Sequence, residues 1–124
     1  MGARFPPRPD RRGLQRENQM TDILERLART ISEKRAADPK SSWTAQLLAA
    51  GPERAAKKFG EEAVEAVIEA VRGDRDKLAA EAADVLYHLL VMLATRELEL
   101  DEVLQVLEGR EGISGVDEKA ARRT

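Results

Sequence analysis

The sequence predicts an all-α protein, a bundle of about four to five helices. Aromatic residues make up only 3% of the 124 residues, so a core must be built from Leu, Val, Ile and Ala, which favours helices over sheets. From Met20 onward Ala, Leu, Glu, Arg and Lys dominate. No segment alternates polar and apolar residues as a half-buried strand would, whereas apolar residues recur at helical spacing in several stretches.

Residues 1–19 contain three prolines and five arginines and have no periodicity, and they read as a disordered or weakly ordered tail. Residues 20–124 then form one domain, a size that a single hydrophobic core serves. Thr21 and Asp22 offer N-caps to a first helix carrying Ile23, Leu24, Leu27 and Ile31. It ends near Ala37, because the residue before Pro39 is disfavoured in a helix. Ser42 caps a short helix to Leu48, stopped by Gly51. Pro52 suits the first position of a long helix that runs to about Arg72 and stops at Gly73-Asp74. A second long helix covers about Asp76 to Thr95. A shorter one runs from Asp101 and Glu102 to about Glu108. Residues 109–115 form a Gly-rich loop, and a last short helix covers Asp117 to Arg122.

Composition excludes several function classes. There are 21 basic and 23 acidic residues, a net charge of −2, so nothing marks a general nucleic-acid binder. The absence of cysteine excludes disulfides, thiolate nucleophiles and thiolate metal sites. No apolar run reaches the roughly 18 residues that span a bilayer, and residues 1–19 lack the apolar segment of a signal peptide. A cytoplasmic location is expected.

The charges of the long helices carry the chemistry. On the helix 52–72, Ala56, Phe59, Ala63, Val64, Val67, Ile68 and Val71 take one broad face. Lys58, Glu61, Glu62, Glu65 and Glu69 crowd an arc of about 100° on the other. Like charges at this spacing repel, and taken alone the stripe reads as a solvated face. The helix 76–95 is apolar almost all round, the pattern of a buried helix. Its exceptions include Glu81, Asp84 and His88, at i, i+3 and i+7 on one stripe. Carboxylates turned into a helical interface are costly unless neutralised. Lys57, Lys58 or an arginine could neutralise them, and so could a divalent cation. Pairing the helices antiparallel brings Glu61, Glu62 and Glu65 toward Glu81 and Asp84, and one or two lysines cannot balance five carboxylates. An all-oxygen site suits Mg²⁺, or Mn²⁺.

One histidine cannot build a His-rich zinc site, nor the paired Glu-x-x-His motifs of a di-iron bundle. His88 reads as a hydrogen-bonded supporting or core residue rather than a catalytic base. Mg²⁺ is commonly held by a few carboxylates together with substrate phosphates, so phosphoryl or nucleotidyl transfer is expected, most simply hydrolysis. There is no Walker-type loop. Phosphate charge is left to basic side chains, with Arg54, Lys57, Lys58, Arg110, Lys119 and Arg122 as candidates.

At these residues the chain resembles a known family. Glu61-Glu62-x-x-Glu65 followed by Glu81-x-x-Asp84 is the pattern of the all-α, MazG-like nucleotide pyrophosphohydrolases. The flanking segments are more specific. Ser42-Trp43-Thr44-x-x-Leu47-Leu48, Gly51-Pro52-Glu53-Arg54-x-x-Lys57-Lys58-x-Gly60-Glu61-Glu62, Asp84-x-x-Tyr87-His88-Leu89-Leu90 and Arg110-x-Gly112-x-Ser114-Gly115-x-x-Glu118-Lys119-Ala120 resemble phosphoribosyl-ATP pyrophosphohydrolase of histidine biosynthesis, over residues 20–123. Trp43 stands where that family commonly has tyrosine.

The resemblance implies hydrolysis of phosphoribosyl-ATP between its α and β phosphates, giving phosphoribosyl-AMP and pyrophosphate. It implies Mg²⁺ at Glu61, Glu62, Glu65, Glu81 and Asp84. Glu61, Glu62 and Lys58 are then the catalytic candidates, with Glu61 as a proton acceptor. Arg54, Lys57, Lys58, Ser114 and Lys119 are the substrate- and phosphate-binding candidates. It also implies a homodimer, to which the all-round apolar helix 76–95 points independently. Two rival readings remain: a house-cleaning pyrophosphohydrolase of noncanonical nucleoside triphosphates, and a non-enzymatic helical dimer. The Ser114–Lys119 segment separates the first rival, since it belongs to the specific resemblance. Inward Glu81 and Asp84 separate the second, since a structural bundle gains nothing from them.

Overall fold

A computed structural model describes residues 23–112. The tail 1–19, the helix expected at Asp117–Arg122, and the candidates Ser114, Lys119 and Arg122 lie outside those residues. Within them the fold is all-helical, as expected: α1 (23–33), α2 (Trp43–Ala50), α3 (Pro52–Arg72), α4 (Arg75–Ala94) and α5 (Leu100–Arg110).

Local chemistry sets most boundaries. α1 tightens into a 3₁₀ turn at Lys34–Ala36, and Ala37 is extended before Asp38-Pro39. The Ser42 side chain accepts from the Ala45 N–H at 3.2 Å and starts α2. Gly51 takes φ 91°, which an L side chain rarely adopts, and turns the chain so that Pro52 can open α3. Gly73 closes α3 in the left-handed region, its N–H on the Glu69 carbonyl at 3.0 Å. Asp74 caps α4 by accepting from Lys77 N–H at 3.0 Å. A two-residue connection leaves α3 and α4 no arrangement but an antiparallel hairpin.

α5 departs from expectation at both ends. It starts at Leu100 because the Glu102 carboxylate accepts the Glu99 N–H at 2.8 Å, satisfying a helix-entry donor. It continues through Gly109 to Arg110, two residues into the expected loop. Gly109 costs the helix only about 1 kcal/mol against alanine, too little to stop it two residues early.

The core lies at one end of the hairpin. Ile31, Leu47, Ala55, Leu90, Val91 and Ala94 are buried together, contributed by α1, α2, the start of α3 and the end of α4. Two polar ties lock this end. Arg35 donates to the Ala94 carbonyl at 2.7 Å, meeting an acceptor at the end of α4. The Thr44 and Tyr87 hydroxyls hydrogen-bond, joining α2 to α4. Leu47 has no exposed surface. Leu47→Ala should therefore lower stability by about 2–5 kcal/mol, the cost of a core cavity. Urea unfolding would measure it, and a loss below about 1 kcal/mol would mean that the core collapses around the gap.

The long helices are not buried as their patterns suggest. α4 is buried within one chain only at His88, Leu90, Val91 and Ala94, while Ala79, Ala82, Ala83 and Leu86 are exposed. On α3 the inner stripe is Ala55, Lys58, Phe59, Glu62, Ala66 and Glu69. The valine stripe faces away: Val64, Val67, Ile68 and Val71 are exposed, Val67 by 62% and Val71 by 84%. A helix cannot turn both faces to one neighbour, and here the acidic face meets α4.

Candidate functional site

The hairpin brings the acids together by register. Glu65 and Glu81 each lie eight residues from Gly73, and Glu62 and Asp84 each lie eleven. Glu62 and Glu65 share a face of α3, as Glu81 and Asp84 share one of α4. Carboxylate oxygens of Glu62, Glu81 and Asp84 all lie within 4.8 Å of one another. Glu65 interacts with both Glu62 and Glu81.

This crowding shows in the electrostatics. Burial raises the Glu62 carboxyl above the usual carboxylate range; the charge of Glu65, a hydrogen bond with it, and Asp84 raise it further, and Lys58 offsets part. Glu81 is raised too, again first by burial, then by a hydrogen bond and the charge of Glu65, and by Asp84 and Glu62. Glu81 Oε2 is buried with no hydrogen-bond partner. Like charges at this separation, one with an unmet acceptor, are what a divalent cation would relieve, and an all-oxygen donor set fits Mg²⁺ or Mn²⁺.

Glu61 stands apart, about 100° around α3 from Glu62. It pairs with Lys58 at 3.5 Å. Together with Arg54 and Lys57 these two line a cleft of about 230 Å³. Carboxylate group and basic cleft are thus neighbours along one helix, with Lys58 influencing Glu62 from the cleft side. Such a pair of subsites can hold a cation and a phosphate chain side by side.

Two further groups belong to the same interface. Glu69 continues the inner stripe, with Oε2 buried and unpartnered and Oε1 4.0 Å from Arg72. His88 is buried with Nδ1 unpartnered. The i, i+3, i+7 spacing in the sequence aligns both with the acids. That their polar atoms lack partners depends on the packing of α3 against α4, for which no local signal exists.

Residues 24–111 match the family model described as phosphoribosyl-ATP pyrophosphohydrolase. A protein of Cereibacter sphaeroides (strain KD131 / KCTC 12085) named phosphoribosyl-ATP pyrophosphatase is 69% identical over 100 residues, covering 81% of this chain and 97% of its own. Proteins with the same name from Dinoroseobacter shibae (69% identical, 98% of its length) and Paracoccus denitrificans (64% identical, 93% of its length) each cover 81% of this chain.

Proposed function

Because the chain belongs to the phosphoribosyl-ATP pyrophosphohydrolase family, we propose that it hydrolyses phosphoribosyl-ATP to phosphoribosyl-AMP and pyrophosphate in histidine biosynthesis, using Mg²⁺ or, as a substitute, Mn²⁺. The observation that carries the chemistry is the convergence of Glu62, Glu81 and Asp84 from two helices, with Glu65 against them.

Glu61, Glu62, Glu65, Glu81 and Asp84 would hold the cation. Glu62, Glu65 and Glu81 offer oxygens on the hairpin stripe, Asp84 is exposed enough to meet a ligand from solvent, and Glu61 would approach from the cleft side, where it pairs with Lys58. When bound, the cation supplies charge stabilisation to phosphate oxygens and acidifies water. The chain's own groups do the rest. Glu61 or Glu62 accepts the proton of the attacking water. Arg54, Lys57 and Lys58 bind the phosphate chain in their cleft, and Lys58 offsets charge developing on the departing pyrophosphate. Ser114 and Lys119 complete the substrate contacts.

The catalytic unit is residues 20–124 acting as a homodimer. Exposed Val64, Val67, Ile68 and Val71 form an apolar stripe of a kind that monomers seldom present, and a second copy would cover it. Among the described residues no helix is long and apolar enough to cross a membrane. A free-nucleotide substrate fits work in the cytoplasm, without nucleic acid.

The direct test is pyrophosphate release in Mg²⁺ from phosphoribosyl-ATP and, separately, from a panel of nucleoside triphosphates. Turnover of phosphoribosyl-ATP alone is expected. Release from noncanonical triphosphates, with phosphoribosyl-ATP untouched, would replace this reading with a house-cleaning activity.

A further inference from the structure

The single histidine of the chain lies one turn beyond Asp84 on the inner stripe of α4 and is only 8% exposed. Its Nδ1 is sealed from solvent and has no hydrogen-bond partner, which leaves Nε2 as the ring nitrogen for an outside contact. His88 and Lys58 each lie fifteen residues from Gly73, so the hairpin sets them at the same level. Lys58 and Glu61 act on the ring from α3, and Asp84 acts on it from α4. Two of these three belong to the basic cleft and the third to the carboxylate group. The ring therefore stands at the junction of the two subsites.

As a core residue His88 is poor. A buried nitrogen without a partner costs stability that a leucine of similar bulk would not. As a ligand-binding residue it is well suited. Burial, and then Lys58, hold the imidazole below the usual histidine range against the opposing pull of Asp84 and Glu61. The ring then carries a single N–H. Such a donor adds a directed hydrogen bond beside Lys58 without a second cation repelling it.

We propose that His88 is a substrate-positioning residue, whose Nε2 hydrogen-bonds a phosphate oxygen of the diphosphate group that bridges the carboxylate group and the Arg54–Lys57–Lys58 cleft. The proposal rests on the reading that the substrate is a phosphoanhydride, and its test is chosen to separate the two.

The experiment uses the full chain in Mg²⁺ and titrates inorganic pyrophosphate by calorimetry into the wild type, His88→Leu and His88→Gln. Leucine keeps bulk without polarity, and glutamine returns an N–H at about the reach of Nε2. His88→Leu should bind pyrophosphate about tenfold more weakly, the loss of one hydrogen bond of about 1.4 kcal/mol. It should melt no lower than the wild type, and His88→Gln should recover most of the affinity. With phosphoribosyl-ATP, His88→Leu should lower kcat/KM by at least the same factor. Equal pyrophosphate affinity in all three proteins, or no binding to the wild type, would overturn the proposal. So would weakened binding in His88→Leu that tracks a lowered melting temperature and is not rescued in His88→Gln. A wild type that binds pyrophosphate through His88 yet leaves phosphoribosyl-ATP intact would refute the assigned substrate and keep the residue's role.

Discussion

Replacing Glu62 or Asp84 by alanine should lower Mg²⁺-dependent hydrolysis of phosphoribosyl-ATP by about 10³-fold, the upper range for losing one preorganised electrostatic contact. Each removes one of the three carboxylates that lie within 4.8 Å of one another, from opposite helices. Neither should unfold the protein, because the core of Ile31, Leu47, Leu90 and Val91 lies at the end of the hairpin. In the absence of metal the stability effect should run the other way. Glu62 is held above its ordinary value by burial and by Glu65 and Asp84. Removing its charge relieves that repulsion, so metal-free Glu62→Ala should melt higher than the metal-free wild type.

The same repulsion sets a pH dependence. The folded-state values of Glu62 and Glu81 are raised, so their contribution to stability is full below the ordinary value of 4.5 and is lost as pH rises through the raised values. The metal-free protein should therefore lose stability as pH climbs from about 4.5 toward neutrality. Mg²⁺ should restore it near neutrality, by about 2.7 kcal/mol at a hundredfold excess over its Kd. Melting curves with and without Mg²⁺ across that range would check this. A pH-independent metal-free melting temperature, or full activity in either alanine variant, would remove the site from α3 and α4.

Val67→Glu combined with Ile68→Glu should convert the proposed homodimer into single chains. Both side chains are exposed on the outer stripe of α3, 62% and 47%. Covering a valine or isoleucine contributes about 1.5–3 kcal/mol, and a buried unpaired carboxylate reverses the sign. Within one chain neither residue is in the core, so the monomer should keep its helices. Activity should fall with association, since Ala82, Ala83 and Leu86, exposed within one chain beside Asp84, would be covered as well in the proposed homodimer. Sedimentation together with turnover would measure both. Dimers that survive the double substitution would place the interface elsewhere.

The helices were legible because their signals are local. Ser42, Pro52 and Gly73 act within a few residues of themselves and mark the start of α2 and both ends of α3 as expected, while the Asp74 cap starts α4 at Arg75, one residue before the expected Asp76. α5 is longer than its local pattern predicts, because the signal at its start is a side chain reaching back, Glu102 to the Glu99 N–H, and because a single glycine, Gly109, does not end a helix. The acidic pattern was legible as a set of residues on two faces, and the pattern also carried the family resemblance.

What the sequence determined by itself was an all-α chain with carboxylates at i and i+3 on two helices joined by a two-residue turn, since spacing and caps suffice for that. What only the tertiary structure decided was the rest of the site. Glu61 pairs with Lys58 while its neighbour Glu62 meets Asp84, because adjacent residues on a helix diverge by about 100° and one crossing of α3 on α4 selects between them. The same crossing turned the valines outward and left nitrogen and oxygen atoms of His88, Glu69 and Glu81 without partners. Helical periodicity fixes which residues share a face, but which face is buried depends on the neighbour it packs against.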